Sequence, residues 1–351
     1  MSDPLIEVDD LRVTYDLGRE GLFGRRRRLA AVDGVSFELG RGETLGLVGE
    51  SGSGKSTTGR AVLRRAPISG GTVRFDGQDI THYGHKDMRR IGSRMQMIFQ
   101  DPYASLNPKM RVAEIVAEPL LAHRVVRSLG EARPMVAELL EQTGLSTEVM
   151  DRLPHAFSGG QRQRIGIARA LALKPDFLVA DEPVSALDVS IRAQVVNLLS
   201  DLREQLGLSY LFIAHDLTVV RHISHRIAIM YAGRIVELAP RDELYAQPRH
   251  PYTETLLSAV PSLDPDRPRM RERKALKGET ADPTALPSGC SFRTRCPYAQ
   301  PGLCDVEAPP LRELPTGHAV ACHLAEEIEL RSFAPLPPLG RRTPAAAESS
   351  G

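Results

Sequence analysis

Nine consecutive residues, Gly49-Glu50-Ser51-Gly52-Ser53-Gly54-Lys55-Ser56-Thr57, satisfy the pattern G-x-x-x-x-G-K-[ST]. Each fixed position meets a physical requirement of phosphate binding. Small residues let the backbone curl tightly, so that successive N–H groups point inward at phosphate oxygens. A helix beginning near Lys55 adds the positive end of its dipole at the same place. Lys55 can reach the β- and γ-phosphates as a point charge, and the Ser56 hydroxyl can ligate Mg²⁺. A Gly/Ser-rich turn can match such a pattern by chance. Here the preceding run Glu43-Thr44-Leu45-Gly46-Leu47-Val48 reads as a buried strand, which supplies the strand–loop–helix context. The expectation is a bound nucleoside triphosphate.

Two further constellations lie downstream. Phe177-Leu178-Val179-Ala180-Asp181-Glu182 ends an apolar run in two carboxylates. After a phosphate-binding loop, Asp181 is placed to hold Mg²⁺, directly or through water, and Glu182 to polarise an attacking water as general base. Phe157-Ser158-Gly159-Gly160-Gln161 stands ahead of a helical stretch. Ser158 and the Gly159 and Gly160 amides can form a second anion nest at that helix N-terminus.

This last stretch resembles the [LF]-S-G-G-Q signature of ATP-binding-cassette (ABC) subunits, and other cassette landmarks follow in the right order. In that family the signature nest, Ser158 to Gln161 here, belongs to the opposite subunit's ATP, so two cassettes clamp two nucleotides. Gln100 resembles the Q-loop glutamine, which senses the γ-phosphate, joins the Mg²⁺ site and touches the membrane partner. Ser185-Ala186-Leu187-Asp188 resembles the D-loop, and the resemblance places Asp188 beside the nucleotide. His215 resembles the switch histidine on the γ-phosphate; a lone histidine at a strand end is more often structural, and the ordered motifs reverse that reading. Tyr15 resembles the aromatic that stacks on adenine, although an arginine-rich insertion lengthens its spacing to the P-loop.

Three stretches narrow the resemblance to the oligopeptide/dipeptide importer ATPases. They are Gly21-Leu22-Phe23-Gly24-Arg25-Arg26, the run Gln100-Asp101-Pro102-Tyr103-Ala104-Ser105-Leu106-Asn107-Pro108, and His250-Pro251-Tyr252-Thr253. The resemblance spans residues 5 to 325 and implies an ATP-hydrolysing subunit that couples ATP and Mg²⁺ to uptake of oligopeptides, dipeptides or related solutes. It implies a second cassette subunit (a paralogue, giving a heterodimer), two transmembrane permease subunits and an extracytoplasmic solute-binding protein. It places the chain peripherally on the cytoplasmic face of the membrane, without nucleic acid. The rival class is a soluble, non-transport cassette ATPase acting on nucleic acid or ribosomes. One P-loop, no sustained heptads and no basic face weigh against it.

All four cysteines fall late, as Cys290, Cys296, Cys304 and Cys322, in a C-x5-C-x7-C-x17-C pattern. Four thiolates fit a tetrahedral Cys₄ zinc or an iron–sulfur cluster, and unmetallated thiols are the third reading. The spacing matches neither a zinc ribbon nor a ferredoxin and does not choose. Importer ATPases carry a similar pattern, and the resemblance implies a [4Fe-4S] cluster that pins an irregular segment. His318 and His323 are substitute ligands or second neighbours.

The elements that must position these residues follow from periodicity. Leu5–Tyr15 and Val32–Leu39 read as antiparallel strands, and Arg25–Arg28 between them as a solvated loop or a contact with anionic headgroups. Gly70–Gly77, Arg94–Phe99, Asp176–Asp181 and Ser209–His215 read as strands, with 227–238 as a closing hairpin. Helical periodicity covers Val112–Leu145, punctuated by Gly130 and Gly144, then Gln161–Leu173 and Val189–Leu206. The alternation predicts an α/β fold with a doubly wound, largely parallel sheet, and the resemblance implies a P-loop NTPase of ABC-cassette type: a mixed core sheet with helices, an antiparallel β-subdomain and a helical subdomain at about 101–170. The expected domains are a nucleotide-binding domain over 1–247, a small irregular cysteine-bearing extension over 248–330 and a disordered tail over 331–351.

Composition agrees. Of 351 residues 42% are hydrophobic and 25% charged, with a formal net charge of +1, which gives no global field for nucleic acid. No apolar run approaches the ~18 residues of a membrane-spanning helix. The first residues lack a signal-peptide core, and clustered cysteines in a reducing compartment argue against disulfides, so the expected place is the cytoplasm.

Overall fold

The computed structural model describes residues 3–19, 26–259, 284, 286–315 and 317–333. Gly21–Arg25 of the first importer-type stretch and the tail from residue 334 lie outside the described residues.

In chain order the elements are β1 (Ile6–Arg19), β2 (Arg26–Leu39), β3 (Thr44–Val48), α1 (Lys55–Val62), β4 (Gly70–Phe75) and β5 (Gln78–Asp79). Then come α2 (His85–Gly92), β6 (Met95–Ile98), α3 (Val112–Ala122), α4 (Leu129–Gln142), α5 (Gly159–Leu171), β7 (Phe177–Asp181) and α6 (Val189–Leu206). The chain continues through β8 (Ser209–Ala214), α7 (Leu217–Ile223), β9 (Arg226–Tyr231), β10 (Arg234–Pro240), α8 (Arg241–Ala246) and α9 (Pro251–Ser258), and closes with β11 (Arg312–Glu313) and β12 (Ala319–Val320).

Two sheets divide these strands. One is antiparallel in the order β2-β1-β4-β5, and the other holds eight strands in the order β11-β12-β10-β9-β3-β8-β7-β6. Within the larger sheet β9, β3, β8, β7 and β6 run parallel, while β10, β12 and β11 add antiparallel. Side chains alternate along a strand, so β7 sends Phe177 and Val179 to one core and Leu178 and Ala180 to the other. Both faces are covered, which is why this strand is an unbroken apolar run. The first core joins the antiparallel sheet to α1; the second joins the large sheet to α3–α6.

Two expectations change. Residues 26–28 of the arginine run belong to β2, which pairs with β1 as far as Arg19↔Arg26, so they form a strand end rather than a loop. Gly130 does not interrupt the helical insertion; it sits in the first turn of α4, and the break falls at residues 123–128, where Arg124 adopts φ 59°. Local propensity gives way here because Ser128 caps α4 by accepting the Glu131 N–H. The large sheet is mixed, as expected, through β10 lying antiparallel to β9, and the cysteine-bearing end of the chain adds two further edge strands. Glu237 and Leu238 of β10 pair with Val320 and Ala319 of β12.

Candidate functional site

β3 is fully buried and delivers the chain into the Gly49–Thr57 loop. Two glycines there cannot be replaced without collision. A Cβ at Gly49 would lie 2.1 Å from the Met230 carbonyl oxygen, and one at Gly54, which has φ 104°, 2.2 Å from that of Ala31. Gly54 ends the loop as the residue before α1. Lys55 is buried, and its ammonium donates to the carbonyls of Gly49 and Glu50, each at 2.8 Å. Burial lowers the Lys55 pKa; the charges of Glu182, Asp181 and Glu50 act against that.

The Ser56 hydroxyl donates to Asp181 Oδ1 at 2.6 Å. Asp181 is 1% exposed at the end of β7, and burial pushes its carboxyl up while the Ser56 hydrogen bond and the Arg60 charge pull it down. Arg60 stands 3.6 Å from Asp181 Oδ2. Sequence reasoning passed over Arg60, although it lies four residues after Ser56 and therefore on the same helical face. Two oxygen donors side by side beside a phosphate-binding loop suit a hard divalent cation such as Mg²⁺.

Glu182 follows with φ 45°, a left-handed conformation uncommon for a residue with a side chain. Its N–H donates to the Ile213 carbonyl at 3.0 Å, which ties the strained turn to β8. Its carboxylate Oε2 accepts from Gln100 Nε2 at 3.0 Å and lies 3.3 Å from His215 Nδ1. Gln100 follows the end of β6 and His215 the end of β8, so two neighbouring strands each bring one polar group to this carboxylate at the end of β7. Asp216 caps α7 through the Thr218 N–H and pairs with Arg192 at 3.4 Å, which fixes the turn beside His215.

Ser158 forms a capping box with Gln161: Gln161 N–H donates to Ser158 Oγ, and Ser158 N–H donates to Gln161 Oε1 at 3.1 Å. Gly160 packs against α6, where a Cβ would lie 2.3 Å from Ile191 Cγ2. Asp188 stands immediately before α6 without capping it through its side chain. Ser51, Gly52, Ser53 and Thr57 lie in the loop and first turn of α1 as their spacing required. Tyr15 is half-buried in β1, paired with Leu29 and packed on the antiparallel-sheet core. Thus the loop, Asp181, Glu182, Gln100 and His215 converge. Among the described residues no hydrogen bond joins Ser158–Gln161, Asp188 or Tyr15 to that centre.

A cleft of about 630 Å³ opens beside Gln100, between the sheet edge and α3 and α5. On its wall an exposed Phe99 ring has the Arg65 and Arg169 guanidinium carbons 5.8 and 5.6 Å from its centroid. Burial lowers the pKa of both arginines.

The expected cysteine centre is different. Among the described residues no three His, Cys, Asp or Glu side chains are arranged to hold a metal ion. The Cys290 N–H nevertheless donates to the Cys304 carbonyl at 2.8 Å, which brings two of the four cysteines together. Burial pushes Cys322 up to about 12, with Cys290, Cys296 and Cys304 adding to the rise, and Cys296 to about 11. His318 Nε2 meets the fully buried Glu237 carboxylate at 2.6 Å. His323 Nε2 stands 2.9 Å from the Glu307 carbonyl instead.

A phosphate-binding loop at a sheet switch point, with a carboxylate pair on the next strand but one, defines a P-loop ATPase of the cassette type. The model of the ABC transporter family matches residues 32–185, and that of the oligopeptide/dipeptide transporter C-terminal region matches residues 236–304. A putative oligopeptide transport ATP-binding protein, YkfD of Bacillus subtilis, is 50% identical over 93% of this chain and 98% of its own. The oligopeptide transport ATP-binding protein OppF of Salmonella typhimurium is 49% identical over 91% and 95%. A solved dimeric ATP-binding cassette, bound to ADP and Pi after hydrolysis, superposes with a TM-score of 0.60 at 28% identity, over 67% of this chain and 98% of that one. The chain belongs to the ABC transporter family, in its oligopeptide/dipeptide branch, and is an ATPase subunit of that family.

Proposed function

We propose that this chain is the ATP-hydrolysing subunit of a membrane importer and couples ATP turnover to uptake of oligopeptides, dipeptides or related solutes. The observation that carries the reading is the meeting of Gln100 and His215 on the Glu182 carboxylate, next to the Ser56–Asp181 pair. Relatives named for oligopeptide transport support the solute class.

With ATP in the loop, Lys55 exchanges the Gly49 and Glu50 carbonyls for phosphate oxygens, and the inward amides take the remainder. Ser56 and Asp181 are the residues that would hold Mg²⁺, which when bound neutralises charge on the β- and γ-oxygens. Glu182 orients a water and accepts its proton as that oxygen attacks the γ-phosphorus. The bond to the bridging oxygen breaks, leaving ADP and phosphate. His215 and Gln100 hold the Glu182 carboxylate and report on the γ-phosphate. Ser158, Gly159 and Gly160 face away from this centre and complete the site of a second cassette, which we take to be a paralogue.

The cleft beside Gln100 is the place for a segment of a transmembrane permease: Phe99 offers an apolar contact, and its flanking arginines offer donors. No helix among the described residues is long and apolar enough to cross a membrane. The relatives named for oligopeptide transport support a peripheral position on the cytoplasmic face, with two permease subunits and an extracytoplasmic binding protein. Among the described helices the longest, α6, has 18 residues, which gives the ribosome- or nucleic-acid-acting rival no coiled-coil arm. Affinity purification of the tagged chain from detergent-solubilised membranes tests the reading. Recovery of two multi-spanning proteins and a second cassette is expected; ribosomal or DNA-repair proteins with nothing from the membrane would overturn it.

The four thiols are proposed as the ligands of a [4Fe-4S] cluster. The hydrogen bond from the Cys290 N–H to the Cys304 carbonyl supports it, and so does the Gln300 N–H, which points at Cys304 Sγ from 3.5 Å. Reconstitution with iron and sulfide under argon, read by visible absorption and iron content, tests it. Zinc retention, or no metal, would remove the proposal.

A further inference from the structure

Glu50, the second residue of the P-loop, is gripped from outside the nucleotide-binding core. Its carboxylate takes a two-pronged ion pair from Arg295, with NH1 to Oε2 at 2.8 Å and NH2 to Oε1 at 3.0 Å. Its backbone N–H donates to the Tyr252 hydroxyl at 2.9 Å. Its carbonyl accepts the Lys55 ammonium at 2.8 Å. Its carbonyl also accepts the Ser53 N–H at 3.2 Å, so every polar group of Glu50 is engaged, and two of its four partners, Tyr252 and Arg295, come from beyond residue 248.

Arg295 is built into place. Its side chain is 5% exposed, and its guanidinium carbon stands 5.9 Å from the Tyr231 ring centroid. Phe292, 1% exposed, packs on Tyr231, Tyr252 and His250 with ring centroids 5.2, 5.4 and 5.6 Å apart. The Arg295 and Cys296 N–H groups both donate to the Phe292 carbonyl at 3.0 Å, so one turn carries the anchor, the arginine and a cysteine. Planar, two-pronged guanidinium pairing fixes orientation as well as distance, and burial strengthens it.

We propose that Arg295 is a positioning residue for ATP binding: acting through Glu50, and with Tyr252, it presets the curvature of the P-loop. The loop must keep successive amides turned inward before the phosphates arrive, and ordering it on binding would cost affinity. On its other side the loop is already closed in at Gly49, where there is no room for a Cβ under the Met230 carbonyl. Glu50 is the point where the chain leaves β3 and begins to curl, so fixing it there sets the residues that follow. Neither Arg295 nor Tyr252 reaches the nucleotide; both act on the strand-to-loop hinge. The nucleotide affinity of the core therefore depends on the fold of the cysteine-bearing extension.

This inference rests on the ATP reading above, and the experiment separates the two. Binding of a fluorescent ATP analogue and the KM and kcat of ATPase turnover are measured on the full chain. The variants are Arg295→Met, Glu50→Gln, the double variant and Lys55→Ala. Glu50→Gln is nearly isosteric at a partly exposed carboxylate and keeps the test open should Arg295→Met fail to fold. Each single variant should weaken binding and raise KM about tenfold, with kcat changed less than about threefold. The double variant should be no weaker than either single one, because both break the same pair. Unchanged affinity in a folded Glu50→Gln, additive losses, or a fall confined to kcat would overturn the positioning role while leaving the ATP reading intact. Binding that survives Lys55→Ala undiminished would overturn both.

Discussion

The Gln100 amide donates to Glu182 Oε2 at 3.0 Å, and the same oxygen lies 3.3 Å from His215 Nδ1. One carboxylate oxygen thus joins the ends of β6, β7 and β8. A single hydrogen bond links Gln100, beside the Phe99 cleft, to Glu182.

Glu182→Gln keeps the side-chain shape and the amide contacts but removes the proton acceptor. Turnover should fall by at least ~10²-fold, the scale of a lost general base, while ATP binding is retained. Size-exclusion chromatography with ATP should show a trapped cassette dimer. Undiminished turnover would falsify the assignment of Glu182.

Asp181 and Ser56 touch at 2.6 Å and supply the two oxygens proposed to hold Mg²⁺. Asp181→Asn keeps that contact and removes the charge. The Mg²⁺ concentration giving half-maximal ATPase should rise by ~10-fold or more, as expected when a charged ligand is neutralised. Chelation of Mg²⁺ should abolish turnover in the unaltered chain. An unshifted Mg²⁺ titration in Asp181→Asn would remove Asp181 from the metal site.

Gly160→Ala adds a Cβ where Ile191 Cγ2 stands 2.3 Å away, and a β-branched side chain on a helix cannot turn aside. The clash separates α5 from α6 and displaces the signature nest. If the signature serves the second cassette's nucleotide as proposed, ATP affinity should survive while ATPase activity of the assembled pair falls about tenfold or more. Ile191→Ala in the same chain opens the space and should restore part of the activity. Failure of that rescue would mean that the glycine is needed for something other than close packing.

Much of this site was legible because its residue types are forced. Gly49 and Gly54 have no room for a side chain, Lys55 and Ser56 open α1, and β7 must be apolar on both faces before it ends in Asp181 and Glu182. Those constraints act between near neighbours in sequence, and sequence patterns record them. The arginine run misleads because its charge suggests a loop, whereas pairing with β1 carries the strand to Arg26. The brace on Glu50 leaves no local signal: Arg295 lies 245 residues away, and nothing in Arg-Cys-Pro marks a partner in the P-loop. Likewise β11 and β12, two residues each, fall below any periodicity and exist only because β10 offers an edge.

The extension also gives the fold an acid sensitivity. His250 is fully enclosed by Phe292, Tyr252 and Glu237, and its Nδ1 accepts the Tyr252 N–H at 3.0 Å as the cap of α9. Burial lowers its pKa from 6.5 to about 4, with the Glu237 charge acting in the opposite sense. Between those two values the unfolded chain binds a proton that the folded chain refuses, so stability rises with pH across that window and is lost as pH falls through it. The full difference is on the order of 3 kcal/mol, since each tenfold weakening of proton affinity is worth about 1.4 kcal/mol. The thermal midpoint should therefore drop measurably between pH 7 and pH 5. His250→Asn keeps an acceptor at the start of α9 but has nothing to titrate. It should be less stable at pH 7 because the smaller side chain leaves a cavity, yet show a flatter midpoint-against-pH curve. An equally steep curve in His250→Asn would place the acid-sensitive group elsewhere.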